Sequence, residues 1–191
     1  MDLQKINVKF FANGTNGIRL EHFIPVFNSW IQAADGAYYD IADYSHVHAG
    51  PGILLIAHEA NISMDCAGDR LGLLYSQKHS LPGTNQEKLR AVFRLALENC
   101  RRLEEEPALG GGLRFRGNDA ALVINDRLLA PNTEEIFQDV RPEIEFFARS
   151  LFRGENFVLD RDKDPRKRFN VSIRTRAFFD AQELLKNLEI R

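Results

Sequence analysis

The sequence is poor in the residues from which disulfide scaffolds and structural metal clusters are built. It has two cysteines in 191 residues, Cys66 and Cys100, far apart and in no CxxC pair. That usage excludes a disulfide-stapled fold and fits reduced thiols. It also lacks GxSxG, HExxH, GxGxxG and Gly-Lys-Ser/Thr, so the common nucleophile-elbow, zincin, dinucleotide and P-loop chemistries have no foothold. Long apolar runs are missing too. The longest, such as Ile53–Ala57, are strand-length and far short of a membrane span. The N-terminus shows no charged-then-apolar leader, so a cytoplasmic protein with no membrane partner is expected. Nor is there a global charge excess. The 25 basic and 27 acidic residues leave a net charge of −2, which gives no field for capturing nucleic acid or anionic lipid.

Aromatic residues, by contrast, are plentiful in one form. Fourteen Phe stand against two Met and one Trp, which predicts a core specified by rigid rings. With 44% hydrophobic and 27% charged residues, a packed globular chain follows.

The apolar periodicity alternates between two and three-to-four residues, which predicts an α+β fold. Ile6–Ala12 sets Ile6, Val8 and Phe10 against Asn7, Lys9 and Phe11, the pattern of a half-buried strand, and the turn residues Asn13–Gly17 end it. Leu20, Phe23, Ile24, Phe27, Trp30 and Ile31 form a helical stripe that includes Pro25. Tyr38–Val47, Ile53–Ala57, Asn61–Cys66 and Leu71–Lys78 read as successive strands of an antiparallel meander, with a turn at Ala49–Gly52. After a cap at Pro82–Asn85, Leu89, Phe93, Ala96, Cys100 and Leu103 mark the clearest helix, which ends at Pro107. The second half reads as a hairpin (Leu113–Arg116 and Ala121–Leu129) and a helix capped near Asn132 or Thr133. Strands at Asn156–Leu159 and Phe169–Arg174 and a terminal helix over Asp180–Leu188 complete it.

The expected architecture is therefore a largely antiparallel sheet with amphipathic helices packed on it. It forms a single domain whose two halves, 1–106 and 113–191, meet near 107–112. An offset of 117 places Leu20, Phe23, Pro25, Phe27, Trp30 and Ile31 on Phe137, Val140, Pro142, Ile144, Phe147 and Ala148, a two-fold internal pseudo-repeat. The strands flanking the two helices agree poorly at that offset.

In Tyr44–His58 (YSHVHAGPGILLIAH), Leu73-Leu74-Tyr75 and Asn125–Glu134 (NDRLLAPNTE), the chain resembles a group of short bacterial proteins with no assigned activity. The resemblance runs to about Val171. It implies a bacterial intracellular protein and carries no functional residue with it.

Four of the five histidines lie between His46 and His79. His46 and His48 are two apart on an expected strand, so both rings would project to one side. With His58 they make a candidate zinc or iron ligand set. His58 and Glu59 with Asp65 and Cys66 make a candidate thiol or acid/base site, provided a tight hairpin brings the strand ends together. Between Arg153 and Arg176, eight Lys/Arg face four acids. Arg161, Lys163, Arg166, Lys167 and Arg168, with Phe169 as a stacking ring, could meet phosphates. The interleaved acids dilute the field, so a solvated hairpin loop is expected there and nucleic acid is not an expected partner.

Two functional classes follow. The first is a non-catalytic binding or assembly module, in which a homodimer could form through the aromatic surplus or a sheet edge. The alternative is a small metal- or thiol-dependent enzyme built on His46, His48, His58, Glu59 and Cys66.

Overall fold

Among the described residues, eight strands enter one antiparallel sheet, in the order β2-β3-β4-β5-β1-β6-β8-β7. The strands are β1 (Ile6–Ala12), β2 (Tyr38–Tyr44), β3 (Gly52–Ala57), β4 (Ala60–Asp65), β5 (Gly72–Gln77), β6 (Phe115–Ile124), β7 (Phe157–Arg161) and β8 (Phe169–Thr175). The helices are α1 (Phe23–Ala33), α2 (Asn85–Glu104), α3 (Glu134–Leu151) and α4 (Ala181–Glu189). These come from a computed structural model, which describes residues 1–14 and 17–189. Thr15 and Asn16, in the turn expected at Asn13–Gly17, lie outside the described residues. The α+β class, the antiparallel sheet and the packed amphipathic helices are as the periodicity predicts.

The two halves join at β1 and β6, antiparallel from Ile6↔Ile124 to Phe10↔Ala120, so strands of both share one sheet. On each side of this pair the chain takes the same route. A helix (α1 or α3) crosses to the far edge strand (β2 or β7), a meander returns to the centre, and a helix (α2 or α4) follows. Thus α1 and α3 occupy corresponding positions in the two halves. The offset of 117 does not carry the strands with them, because it moves β1 onto 123–129, past the end of β6.

One face of the sheet supplies the core. Ile6, Val8 and Phe10 of β1, Leu73 of β5, Leu122 of β6 and Val171 of β8 are fully buried beneath the helices. The aromatic surplus is used here. Phe10 meets Phe93 of α2 edge-on at 5.9 Å between centroids, and Phe93 meets Phe147 of α3 at 4.6 Å. Thr84 caps α2 by accepting from the Glu87 N–H, and Thr133 caps α3 by accepting from Ile136 N–H. Pro142 sits inside α3 without ending it.

Strand β6 departs from the sequence reading. It is one continuous ten-residue strand where a hairpin of Leu113–Arg116 and Ala121–Leu129 was expected. Gly117 serves close packing rather than a turn, since a Cβ there would overlap the Phe179 carbonyl oxygen. Gly52, at the start of β3, has φ +63°, and a Cβ there would overlap the Met64 carbonyl oxygen on β4. The Gly-Pro-Gly turn is thus demanded by both backbone shape and space.

Candidate functional site

The second face of the sheet carries no helix among the described residues, yet its centre is buried. Reading across strands, one row runs Asn61, Ser76, Asn7, Val123, Asn170 on β4, β5, β1, β6 and β8. The next runs Ser63, Leu74, Lys9, Ala121, Ser172. Alternation alone would leave these side chains in water, but Asn7 is 2% exposed, Lys9 5% and Ser63 1%. Leu54 of β3 and Arg168, next to β8, line the same cavity. Five strand spacings separate β3 from β8, ~24 Å on a flat sheet, so the sheet curls over this face. The 45–51 turn, the short turn at Ala67–Asp69 and the β7–β8 loop at 162–168 close in from the rims.

Two adjoining cavities result. One, of about 330 Å³, is lined among others by Pro51, Leu54, Asn61, Ser63, Ser76 and Arg168. The other, of about 410 Å³, is lined by Val123, Arg127, Arg166, Lys167, Arg168 and Asn170 among others. Ala67 and Arg168 belong to both. Asn7 pairs in register with Ser76 of the first cavity and Val123 of the second, so it lies between them, buried beneath both linings.

The polar groups in this floor are incompletely used. The Oδ1 atoms of Asn7, Asn61 and Asn170 are buried and accept no hydrogen bond from the described residues. Two other buried atoms are in the same condition, Asp119 Oδ1 and Arg161 Nε, but each belongs to a side chain already ion-paired through another atom. The three carboxamides have no such compensation in the interactions of the described residues, and all three fall in one row.

Beside them Lys9 Nζ donates to Asp65 Oδ1 at 2.5 Å and to the Ala67 carbonyl at 3.3 Å, while Asp65 Oδ1 also accepts from Ala67 N–H. Burial pushes the Lys9 ammonium below its ordinary value, against the pull of the Asp65 carboxylate. This pair ties β1 and β4 to the Ala67–Asp69 turn that walls the cleft.

The lip is built mainly by Asn125–Glu134 and the β7–β8 loop. Asn132 is buried and donates from Nδ2 to the carbonyls of Asp162 and Asp164, both at 2.8 Å. Arg161 donates back to Asn132 and pairs with Glu134. Within the loop Lys167 pairs with Asp162 at 2.7 Å and Arg166 with Asp164 at 2.9 Å. Hydrogen bonds from those cations lead in holding both aspartates below the usual carboxylate range. The two remaining cations are not neutralised. Arg168 reaches only the Asn125 amide oxygen, at 3.3 Å, and Arg127 pairs with no acid among the described residues.

The sequence-predicted site residues are placed differently. His46 and His48 lie in the turn after β2, where His46 packs against the Tyr44 ring and His48 approaches Asp69 at 3.6 Å. His58 is at the β3–β4 tip, at the other end of a six-residue strand that spans ~20 Å. The structure therefore does not bring His46, His48 and His58 together as a zinc or iron ligand set. Cys66 likewise follows the far end of β4, bonded through its N–H to the Gly50 carbonyl, and cannot meet His58 and Glu59. The hairpin is tight, as supposed, but its register sends the two groups to opposite ends. Burial pushes the Cys66 thiol up, and pushes the fully buried Cys100 well up.

Instead, His79 joins His58 and Glu59. One ligand atom from each lies within 4.8 Å of the others, all three are exposed, and the two imidazoles stand 4.9 Å apart. The β4–β5 register, with Ala60↔Gln77 and Lys78 N–H bonded to Glu59, puts residue 79 beside the tip. Pairing the expected strands Asn61–Cys66 and Leu71–Lys78 about the turn at 67–69 would have disclosed that neighbour. The cleft itself had one legible signal, the polar set Asn7 and Lys9 on the central strand, which alternation assigns to solvent.

No family model, no curated protein and no solved structure matches this chain. Among the described residues, no helix is long and apolar enough to cross a membrane.

Proposed function

We propose that this chain is a non-catalytic binding module of the bacterial cytoplasm, and that its ligand site is the curled, helix-free face of the sheet. One observation carries the reading: three buried carboxamide oxygens without partners, aligned across four strand spacings on the floor of a cleft. A buried polar group left unmet costs ~1–3 kcal/mol, and three in one row with no partner among the described residues mark a floor that bound solvent or a ligand completes. The raised thiols and the absence of any histidine from the cleft lining favour binding over nucleophilic catalysis. The free thiols also suit a reducing compartment.

The test is an amide-resolved NMR titration with a library of small polar molecules. Ligands that shift the amides of Asn7, Asn61 and Asn170, and lose that effect in Asn7→Leu, support the reading. Shifts confined to other surfaces across the whole library would refute it. Light scattering of the same samples decides whether an edge strand, β2 or β7, also joins two copies.

A second reading, metal-dependent function at the β3–β4 tip, has its own support in the convergence of His58, Glu59 and His79. Stoichiometric zinc uptake that vanishes in His58→Ala/His79→Ala would favour it, and unchanged melting in zinc and chelator would remove it.

A further inference from the structure

We infer that the ligand of this cleft is a phosphate monoester that also carries hydroxyl groups, a sugar or polyol phosphate. The inference rests on the binding-module reading and adds the chemistry of the guest.

Charge comes first. Of the four cations lining the larger cavity, Arg166 and Lys167 are spent on Asp164 and Asp162. Arg127 and Arg168 remain as two uncompensated guanidinium groups at one lip. Their joint charge of +2 matches a phosphate monoester, which carries about −1.5 to −2 at neutral pH, better than it matches a single carboxylate. Guanidinium forks also suit phosphate oxygens geometrically.

Hydrogen bonding comes next. Asn170 lines the same cavity, with Val123 between it and Asn7 in the row. Their Oδ1 atoms are enclosed, while the Nδ2 groups make no hydrogen bond among the described residues, so the carboxamides offer donors and a guest must accept. Hydroxyl groups do so. Two strand spacings, ~10 Å, separate Asn170 from Asn7, which is the reach of a phosphorylated five- or six-carbon chain. Asn61 lies further along the row and can serve a longer guest. A curled, walled floor admits such a molecule and not a stacked nucleic-acid strand. The acids alternating with bases at the lip weaken any extended phosphate track as well.

The experiment titrates ¹⁵N-labelled protein at low ionic strength with inorganic phosphate, ribose 5-phosphate, ribose and a short single-stranded DNA. Both phosphates should give saturable shifts at Arg127 and 166–170, and ribose 5-phosphate alone should extend them to Asn7. Arg127→Gln/Arg168→Gln should weaken both by ~10-fold or more. Asn7→Leu should weaken ribose 5-phosphate several-fold and leave inorganic phosphate unchanged. Both arginines are exposed, so the double variant should keep its fold, checked by its circular dichroism. Phosphate shifts that do not saturate, or that ignore the arginines, overturn the inference. So does DNA binding tighter than ribose 5-phosphate at the same residues. A library ligand that needs Asn7 but not the arginines overturns the phosphate class and leaves the binding module standing. Cleft amides that no compound moves overturn both.

Discussion

Lys9 Nζ and Asp65 Oδ1 stand 2.5 Å apart, each side chain about 7% exposed, on two strands separated by β5. Lone ions at that depth would be unsustainable, and the pair survives because each also bonds to Ala67.

Removing one partner should therefore cost far more than removing both. Asp65→Asn or Lys9→Met is expected to lose ~3–5 kcal/mol in denaturant unfolding, while Lys9→Met/Asp65→Leu should recover most of it. Added salt should leave the wild-type contribution nearly unchanged, because the pair is shielded from solvent ions. A double variant that loses the sum of the two single losses would show that the ions are not coupled.

Glu104 gives the pH dependence. Burial raises its carboxyl above the ordinary 4.5, although its Oε1 accepts the Phe115 N–H at 2.6 Å. Between 4.5 and the raised value the folded chain holds more proton than the unfolded one. Stability from this group is thus present at low pH and falls as pH rises through that window. Glu104→Gln keeps an acceptor and discards the charge. It should melt higher than wild type at pH 7, with the gap closing toward pH 4. A gap that grows on acidification would reverse the assignment.

How far the sequence discloses this molecule depends on what each pattern measures. Ile6, Val8 and Phe10 are inward as their spacing predicts, because helices cover that face. Asn7 and Lys9 obey the same alternation and are still buried, because burial there comes from sheet curvature and distant loops, which periodicity cannot express. The Gly117-Asn118 pair mimics a turn, while its real constraint is contact with Phe179, sixty residues away. The histidines near one another in sequence are split by the length of β3, whereas His79 arrives through strand register.

The thiols should be sluggish nucleophiles. Desolvation leads in raising both above the ordinary 9.0, and Cys100 is fully enclosed in the core. With excess iodoacetamide at pH 7.5, Cys66 should react more slowly than a free thiol, accelerating with pH, and Cys100 only on unfolding. Rapid labelling of Cys66 at pH 6, read by mass spectrometry, would instead mark an activated thiolate and revive a thiol-dependent activity.

Asn7 joins stability to function. Its side chain sits at the centre of the sheet, 2% exposed, with Oδ1 unmet by the described residues. An apolar residue of similar volume would remove that deficit without opening a cavity. Asn7→Leu should therefore stabilise the free protein by ~1–2 kcal/mol, or roughly 2–8 °C in melting temperature for a chain of this size. Most substitutions in a buried strand destabilise, so a gain here would be diagnostic. It would mean that the wild-type residue is kept at a cost to folding, as groups reserved for a ligand are. The same variant should lose cleft binding, which separates the gain from generic tightening of the core. If Asn7→Leu destabilises by more than ~1 kcal/mol, the carboxamide is serving the fold itself, and the aligned row loses its significance as a site.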